Sequence, residues 1–304
     1  MSTLPLTARA HAKVNLDFRI LGTRSDGYHE VRTVLQSLAL HDELELSERD
    51  GPFTLTCDEP SVPADATNLV WRAAVRLGRA LDLSLDGLAL TLRKRIPAQA
   101  GLGGGSADAA ATLRLLARRW GSAPGDPRLA GVAAELGADV PFFLAGGTAR
   151  ATGRGDLIHP LADLPERHVL LVQPPFGVST RDAYAWFDAS PIPPCEDPPQ
   201  WPTGAGSVWS GLLPRLRNDL EAVVTARQPE IGAAVEALRA AGALLAIMAG
   251  SGSAVAGFFG TSAEAERACR SLESIAERQR WRLLRTKTID RQTYAASIRP
   301  RPSP

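Results

Sequence analysis

Ile96-Pro-Ala-Gln-Ala-Gly-Leu-Gly-Gly-Gly-Ser-Ala-Asp-Ala-Ala-Ala-Thr112 is the stretch around which the rest of the chain can be ordered. Gly101, Gly103, Gly104 and Gly105 stand directly ahead of Ser106, and an Ala/Leu/Arg-rich run follows to Trp120. Glycine admits backbone angles closed to other residues and lets a ligand approach the main chain. The run after the glycines is predicted to be a helix, with Ser106 suited as its N-cap. A glycine loop feeding a helix N-terminus aims free N–H groups and the positive dipole end at one point, which favours phosphate. A tight, closely packed turn would use the same residues, so the loop by itself leaves both readings open.

Spacing excludes two familiar phosphate loops. No lysine follows Gly105, as a Walker loop requires. A dinucleotide fingerprint begun at Gly101 would need glycine where Ser106 stands, and one begun at Gly103 would need it at Asp108.

The chain has 304 residues, enough for two domains. Hydrophobic residues make up 44% and charged residues 22%, ordinary for a globular protein, and the formal net charge of +1 gives no global argument for nucleic acid. Lys13, Lys94 and Lys287 are the three lysines in an otherwise arginine-based positive complement. Cys57, Cys195 and Cys269 are few and far apart, which fits a reducing compartment rather than a disulfide framework. The five histidines show no metal-ligand spacing. The N-terminus lacks a signal-peptide core and no apolar run reaches the ~20 residues of a membrane span, so a cytoplasmic protein is expected.

Read in order, Ala8 to Ile20 is a predicted strand, with Lys13 and Asn15 on the face opposite Val14, Leu16, Phe18 and Ile20. After a turn at Gly22–Gly27, strands are expected near Val31–Leu40 and Asp42–Ser47, with a further one at Phe53–Cys57. Asn68–Leu81 is helical by spacing, and Asp82–Leu92 carries a short strand into the glycine loop. A short helix at Arg128–Leu136 ends at Gly137. Gly146–Leu161 reads as strand and turn.

A new pattern starts near His168. Strand Val169–Gln173 is followed by a mostly helical Gly211–Ala241 that includes Asn218 and Asp219. Strands Ala243–Ala249 and Ala254–Phe259 are joined by Gly250-Ser-Gly-Ser253, and helix Ser262–Arg278 leads to a last strand Trp281–Lys287. That order is a split βαβ unit. The predicted fold is α+β in two domains, 1–162 and 163–304, with a poorly ordered surface insertion from Asp188 to Trp209.

Several blocks together resemble the GHMP kinases. They are Ala12-Lys-Val-Asn-Leu16 with Arg24-Ser-Asp-Gly-Tyr-His-Glu30, the glycine loop, Gly137-Ala-Asp-Val-Pro-Phe142, Phe176-Gly-Val-Ser-Thr180 with Tyr184, Arg217-Asn-Asp-Leu220, and Gly250–Ser253. The Asp-Gly-Tyr-His block points to the branch that acts on a cytidine diphosphate-linked methylerythritol. The resemblance covers nearly the whole chain and implies a ribosomal-S5-like N-terminal domain, a ferredoxin-like C-terminal domain and a substrate cleft between them. It implies ATP-dependent phosphorylation of the 2-hydroxyl of 4-diphosphocytidyl-2-C-methyl-D-erythritol in the non-mevalonate route to isoprenoid precursors. A kinase of the homoserine or mevalonate type, or an inactive nucleotide-binding homologue on the same fold, is the alternative reading. An RNA-binding role through the S5-like sheet lacks a basic stripe.

Residue by residue, the resemblance implies that Asp139 deprotonates the acceptor hydroxyl and Lys13 offsets charge on the transferred group. Asp139 is followed by apolar Val140, Phe142 and Phe143, which suggests a partly buried carboxylate. Pro97, Ala98, Gln99, Ala100, Gly101, Leu102, Gly103, Gly104, Gly105, Ser106 and Ala107 are expected to wrap the ATP phosphates. Asn68, Lys94 and Asp108 are expected near adenine or ribose. Tyr28 and His29 are expected at the cytidine ring, Tyr184 stacked on it, and Asn15 and Thr180 hydrogen-bonded to the substrate. Ala98, Gln99 and Ala100 replace glycines found in some members, and Ala107 a common second serine. Mg2+ is expected with ATP, without an assignable protein ligand.

Overall fold

The computed structural model describes residues 5–123, 125–193, 201 and 209–302. Two long strands open the chain: β1 (Leu6–Thr23) and β2 (His29–Glu48) run antiparallel around the turn at Arg24–Tyr28. β3 (Thr54–Cys57), α1 (Leu69–Leu81), β4 (Leu88–Arg93), α2 (Gly104–Trp120), α3 (Pro127–Leu136), α4 (Val140–Ala145), β5 (Thr148–Thr152) and β6 (Leu157–Pro160) follow. Next come β7 (His168–Gln173), α5 (Thr180–Asp188), α6 (Trp209–Leu212), α7 (Glu221–Arg227), α8 (Pro229–Ala240), β8 (Leu245–Met248), β9 (Val255–Phe259), α9 (Ser262–Gln279) and β10 (Arg282–Lys287). α10 (Arg291–Ser297) and β11 (Arg301–Pro302) close the described chain.

These strands form two sheets. The first has the order β11-β1-β2-β4-β3, with β5 beside β2 and β6 beside β5. The second, β10-β7-β9-β8, is antiparallel throughout and is the split βαβ sheet the sequence predicts. The helices α1, α2, α3 and α4 cover one face of the first sheet, their small and branched apolar residues forming one core with Leu44, Leu46, Leu90 and Leu92. The helices α7, α8 and α9 cover the second sheet around Leu170, Val172 and Val255. Among the described residues no helix is long and apolar enough to cross a membrane.

β1 carries the architecture's decisive irregularity. Leu6, Ala8 and Ala10 face the helical layer, whereas Ala12, Val14 and Leu16 pack with Val169, Leu171 and Phe258 of the second sheet. The register shift between His11 and Lys13 causes this exchange of faces. A bulge re-aims side chains in this way. It leaves Lys13 and Asn15 on the side away from the inter-sheet core.

The shift also explains a difference from the sequence reading. Opposite the single residue Ala12, β2 has three, Leu38, Ala39 and Leu40. The alternation therefore slips, and one continuous strand reads as two. The helix expected over Gly211–Ala241 is likewise broken. Arg217–Leu220 leaves helical geometry to bond β1, where Phe18 N–H donates to Arg217 O (2.8 Å) and Asp219 N–H to Phe18 O (2.9 Å). β10 is not the last element, since α10 and β11 return to the first sheet. The proposed insertion falls mostly outside the described residues. Its ends are Asp188, which completes α5, and Trp209, which is 1% exposed and donates its indole N–H to Pro165 O.

Candidate active site

The glycine loop is built by close backbone approach. Gly101 has φ +75°, and a Cβ there would stand 1.9 Å from Ala249 O, so no larger residue fits. Gly103, at φ +71°, would place a Cβ 2.7 Å from the Phe143 ring and 3.0 Å from Lys13 Cγ. Gly103, not Ser106, is the N-cap of α2: the bond from Ala107 N–H to Gly103 O (2.9 Å) starts the helix, which puts Ser106 in its first turn. Two further bonds hold the loop, from Lys13 N–H to Leu102 O (3.0 Å) and from Ala254 N–H to Ala100 O (3.2 Å). Gly250–Ser253 thus supports the loop from the second sheet. Gln99, one of the residues that depart from the glycine pattern, takes φ +52°, a left-handed conformation glycine would adopt at less cost.

The loop forms one wall of a cavity of about 1020 Å3 between the two sheets and their helices. Every residue given a catalytic, nucleotide or substrate role by the resemblance lines it except Ala107, which is buried in the α2 core. Asn68 is the N-cap of α1, its side chain accepting from Val70 N–H at 2.8 Å. Lys94 is buried between Asp42 and Asp108, with its ammonium 2.8 Å from Asp108 Oδ2 and also paired with Asp42. Burial alone would lower the Lys94 pKa, but the two carboxylates outweigh it and the net direction is up. Burial raises the Asp108 pKa, Asp42 adds to the rise and Lys94 opposes it. Asp42 also accepts from the N–H groups of Arg95 and Ile96, and so anchors the strand end that enters the loop. Asp108 Oδ1 has no hydrogen-bond partner among the described residues.

Opposite the loop, Lys13 Nζ stands 3.4 Å from Asp139 Oδ2. The lysine side chain is 5% exposed and that of Asp139 37%, so the carboxylate is the open member of the pair. Asp139 owes its place to the turn between α3 and α4, with Pro141 in the first turn of α4. Lys13 Nζ donates to Asn15 Oδ1 (2.7 Å), Asn15 Nδ2 to Thr33 Oγ1 (2.8 Å), and Thr33 Oγ1 to Asp17 O (2.7 Å). This relay fixes the ammonium from behind.

At the far end of the cleft, His29 and Tyr184 are stacked with ring centroids 4.6 Å apart. Phe18 meets Tyr184 edge-on. Burial and then the negative charge of Asp139 raise the pKa of the Tyr184 hydroxyl. His29 Nε2 lies 2.7 Å from Asp188 Oδ1 and therefore donates to it; when the ring carries a single proton, Nδ1 is the acceptor. Tyr28 is 58% exposed beneath the Arg154 guanidinium, 5.2 Å from its ring. Thr180 Oγ1 is 3.0 Å from Ser251 Oγ. Ser251 belongs to the Gly250–Ser253 block the sequence marks, whereas Thr33, Asp42, Arg154 and Asp188 are not marked there as site residues. Their partners lie far along the chain, and no local pattern marks them.

Known proteins resemble the chain over most of its length. The sequence model described as the GHMP kinases N terminal domain matches residues 68–147, and that described as GHMP kinases C terminal matches 209–277. A protein of Synechococcus sp. (strain JA-3-3Ab) named 4-diphosphocytidyl-2-C-methyl-D-erythritol kinase is 44% identical over 278 residues, covering 88% of this chain and 89% of its own. A protein of the same name from Moorella thermoacetica (strain ATCC 39073 / JCM 9320) is 43% identical, with 90% and 95% covered. A crystal structure of 4-(cytidine 5'-diphospho)-2C-methyl-D-erythritol kinase superimposes with a TM-score of 0.77 at 32% identity, covering 93% of this chain and 98% of that one.

Proposed function

The chain belongs to the GHMP kinase family, and from that premise we propose that it transfers the γ-phosphoryl group of ATP to the 2-hydroxyl of 4-diphosphocytidyl-2-C-methyl-D-erythritol. The products are the 2-phosphate and ADP, in the non-mevalonate route to isoprenoid precursors. The relatives that carry this name align over most of both chains, which favours this acceptor over homoserine or mevalonate. The observation that carries the reading is the Lys13–Asp139 pair, 3.4 Å apart in the cavity that the glycine loop also lines.

In this reading the acceptor oxygen bonds to the γ-phosphorus as the bond to the βγ-bridging oxygen breaks. The hydroxyl proton passes to Asp139, and ADP leaves. Lys13, directed by Asn15, offsets negative charge on the transferred group. The N–H groups at the start of α2 and the loop from Pro97 to Ser106 hold the nucleotide phosphates. Asn68, Lys94 and Asp108 lie at the nucleotide side, the last two as a buried support beneath the loop. Tyr28, His29, Thr180 and Tyr184 hold the cytidine end. A His29 Nδ1 acceptor suits the exocyclic amine that cytosine presents.

Mg2+ would enter with ATP and offset the phosphate charge, with phosphate oxygens and water as the ligands that ion prefers. Among the described residues no group of three or more His, Cys, Asp or Glu side chains is placed to hold a metal, and no step is assigned to the ion. Domain limits of 1–162 and 163–304 and a cytoplasmic location belong to the same proposal. The limits fall between β6 and β7. A coupled ADP-release assay tests it. ADP should appear only with the cytidine diphospho acceptor, and equal release without that acceptor, or with homoserine or mevalonate in its place, would overturn it.

A further inference from the structure

Arg217-Asn-Asp-Leu220 lies outside the reaction chemistry, yet it bonds both β1 and the β8–β9 hairpin. Its backbone grips β1 through the two Phe18 bonds, and Asp219 Oδ2 accepts from Ile20 N–H at 3.0 Å. On its other side the buried Asn218 amide donates to two carbonyls of the β8–β9 hairpin, Met248 O (2.9 Å) and Gly250 O (2.6 Å), and its Oδ1 accepts from Leu220 N–H (3.0 Å). Gly250 packs directly on the catalytic side, since a Cβ there would stand 3.2 Å from Asn15 Oδ1 and 3.3 Å from Lys13 Nζ. The same hairpin abuts Gly101 at Ala249 O and donates Ala254 N–H to Ala100 O.

We propose that Asn218 is a positioning residue that sets the register between the donor cradle and the acceptor-side lysine, acting through the Met248 and Gly250 carbonyls. The amide has two N–H donors and one acceptor, and the site uses all three. An aspartate would set a carboxylate against two carbonyl oxygens, and an alanine would leave both buried carbonyls without this donor. Neither change touches a substrate group. The expected loss is therefore in the alignment of the reacting atoms, where a displacement of about 1 Å costs roughly 100-fold.

The inference rests on the kinase reading, and the test separates the two. Asn218→Ala is compared with Leu272→Ala, a cavity in the α9 core of the second sheet that lowers stability without touching the hairpin. Asn218→Ala should lower kcat about 100-fold with both KM values within about threefold, whereas Leu272→Ala should keep kcat. Asn218→Ser, which retains one donor, should fall between, and it serves at reduced temperature if the alanine variant does not fold. Asn218→Asp should regain activity as pH falls and its carboxyl gains a proton to donate.

Amide hydrogen exchange gives the arm that needs no acceptor. The N–H groups of Lys13 and Ala254, which bond the glycine loop, should exchange about tenfold faster in Asn218→Ala, or in Asn218→Ser, and keep their protection in Leu272→Ala. Unchanged exchange together with a kcat like that of Leu272→Ala would overturn the role of Asn218. A wild-type enzyme without acceptor-dependent turnover, but with the exchange effect intact, would overturn the kinase reading and leave the coupling standing.

Discussion

Lys13 and Asp139 meet at 3.4 Å, although one sits on a bulged strand and the other on the turn before a short helix. The bulge and the turn face each other across the start of α2, so the pair and the phosphate loop share one frame.

Removing the base without removing its hydrogen-bonding shape gives the first prediction. Asp139→Asn should cut turnover by about 100- to 10,000-fold, and Lys13→Met by at least about 100-fold. ATP affinity, measured by calorimetry, should stay within a few-fold in both. Turnover close to wild type in Asp139→Asn would remove that carboxylate from the mechanism.

The cytidine end can be tested with an altered acceptor. Uracil presents a carbonyl where cytosine presents an amine, so a uridine analogue would set an acceptor against His29 Nδ1. Its kcat/KM should fall by about 10- to 100-fold, the scale of one unsatisfied buried hydrogen bond. Tyr184→Ala should raise the acceptor KM by a similar factor, from a stacking loss of about 1–3 kcal/mol. Equal use of both acceptors would show that the ring edge is not read at His29.

Two glycines separate fold from binding. Gly101→Ala puts a Cβ onto Ala249 O and forces a left-handed alanine, so the melting temperature and ATP affinity should fall together. Gly105→Ala meets only Leu69 Cδ1, at 3.6 Å, in the first turn of a helix, where alanine is favoured by about 0.5–1 kcal/mol. That variant should melt no lower than wild type. ATP affinity should nevertheless drop if the phosphates lie against this backbone, which calorimetry measures directly.

Much of this was readable in advance, for identifiable reasons. The glycine loop, the Lys13 strand face and the Asp139 turn are local patterns, and local patterns survive in a one-dimensional reading. The bulge at His11–Lys13 is not legible, because the two extra residues in β2 disturb alternation only through pairing. Asp42 is invisible for a related reason, since its value lies in meeting Lys94 and two N–H groups far along the chain. The sequence predicts helix around Asn218, while its backbone is held by β1. His29 and Tyr184 each stand in a marked block, but their stacking on each other comes from the placement of α5.

A stability experiment follows from the buried Asp108. Folding raises its pKa, through burial first, so the folded protein holds that proton more tightly than the unfolded chain. Stability from this group is intact below the ordinary carboxylate pKa of about 4 and declines as pH rises from there toward the raised value. Asp108→Asn removes the titration. Its melting temperature should gain on wild type with increasing pH, and parallel curves across the pH range would contradict the assignment.

The most direct measurement is a 31P NMR record of ATP, the cytidine diphospho acceptor and enzyme, run beside Asp139→Asn. A phosphomonoester signal should grow in step with ADP for the wild type and at least about 100-fold more slowly for the variant. Loss of ATP to inorganic phosphate without a phosphomonoester, or the same signal from both proteins, would contradict the account.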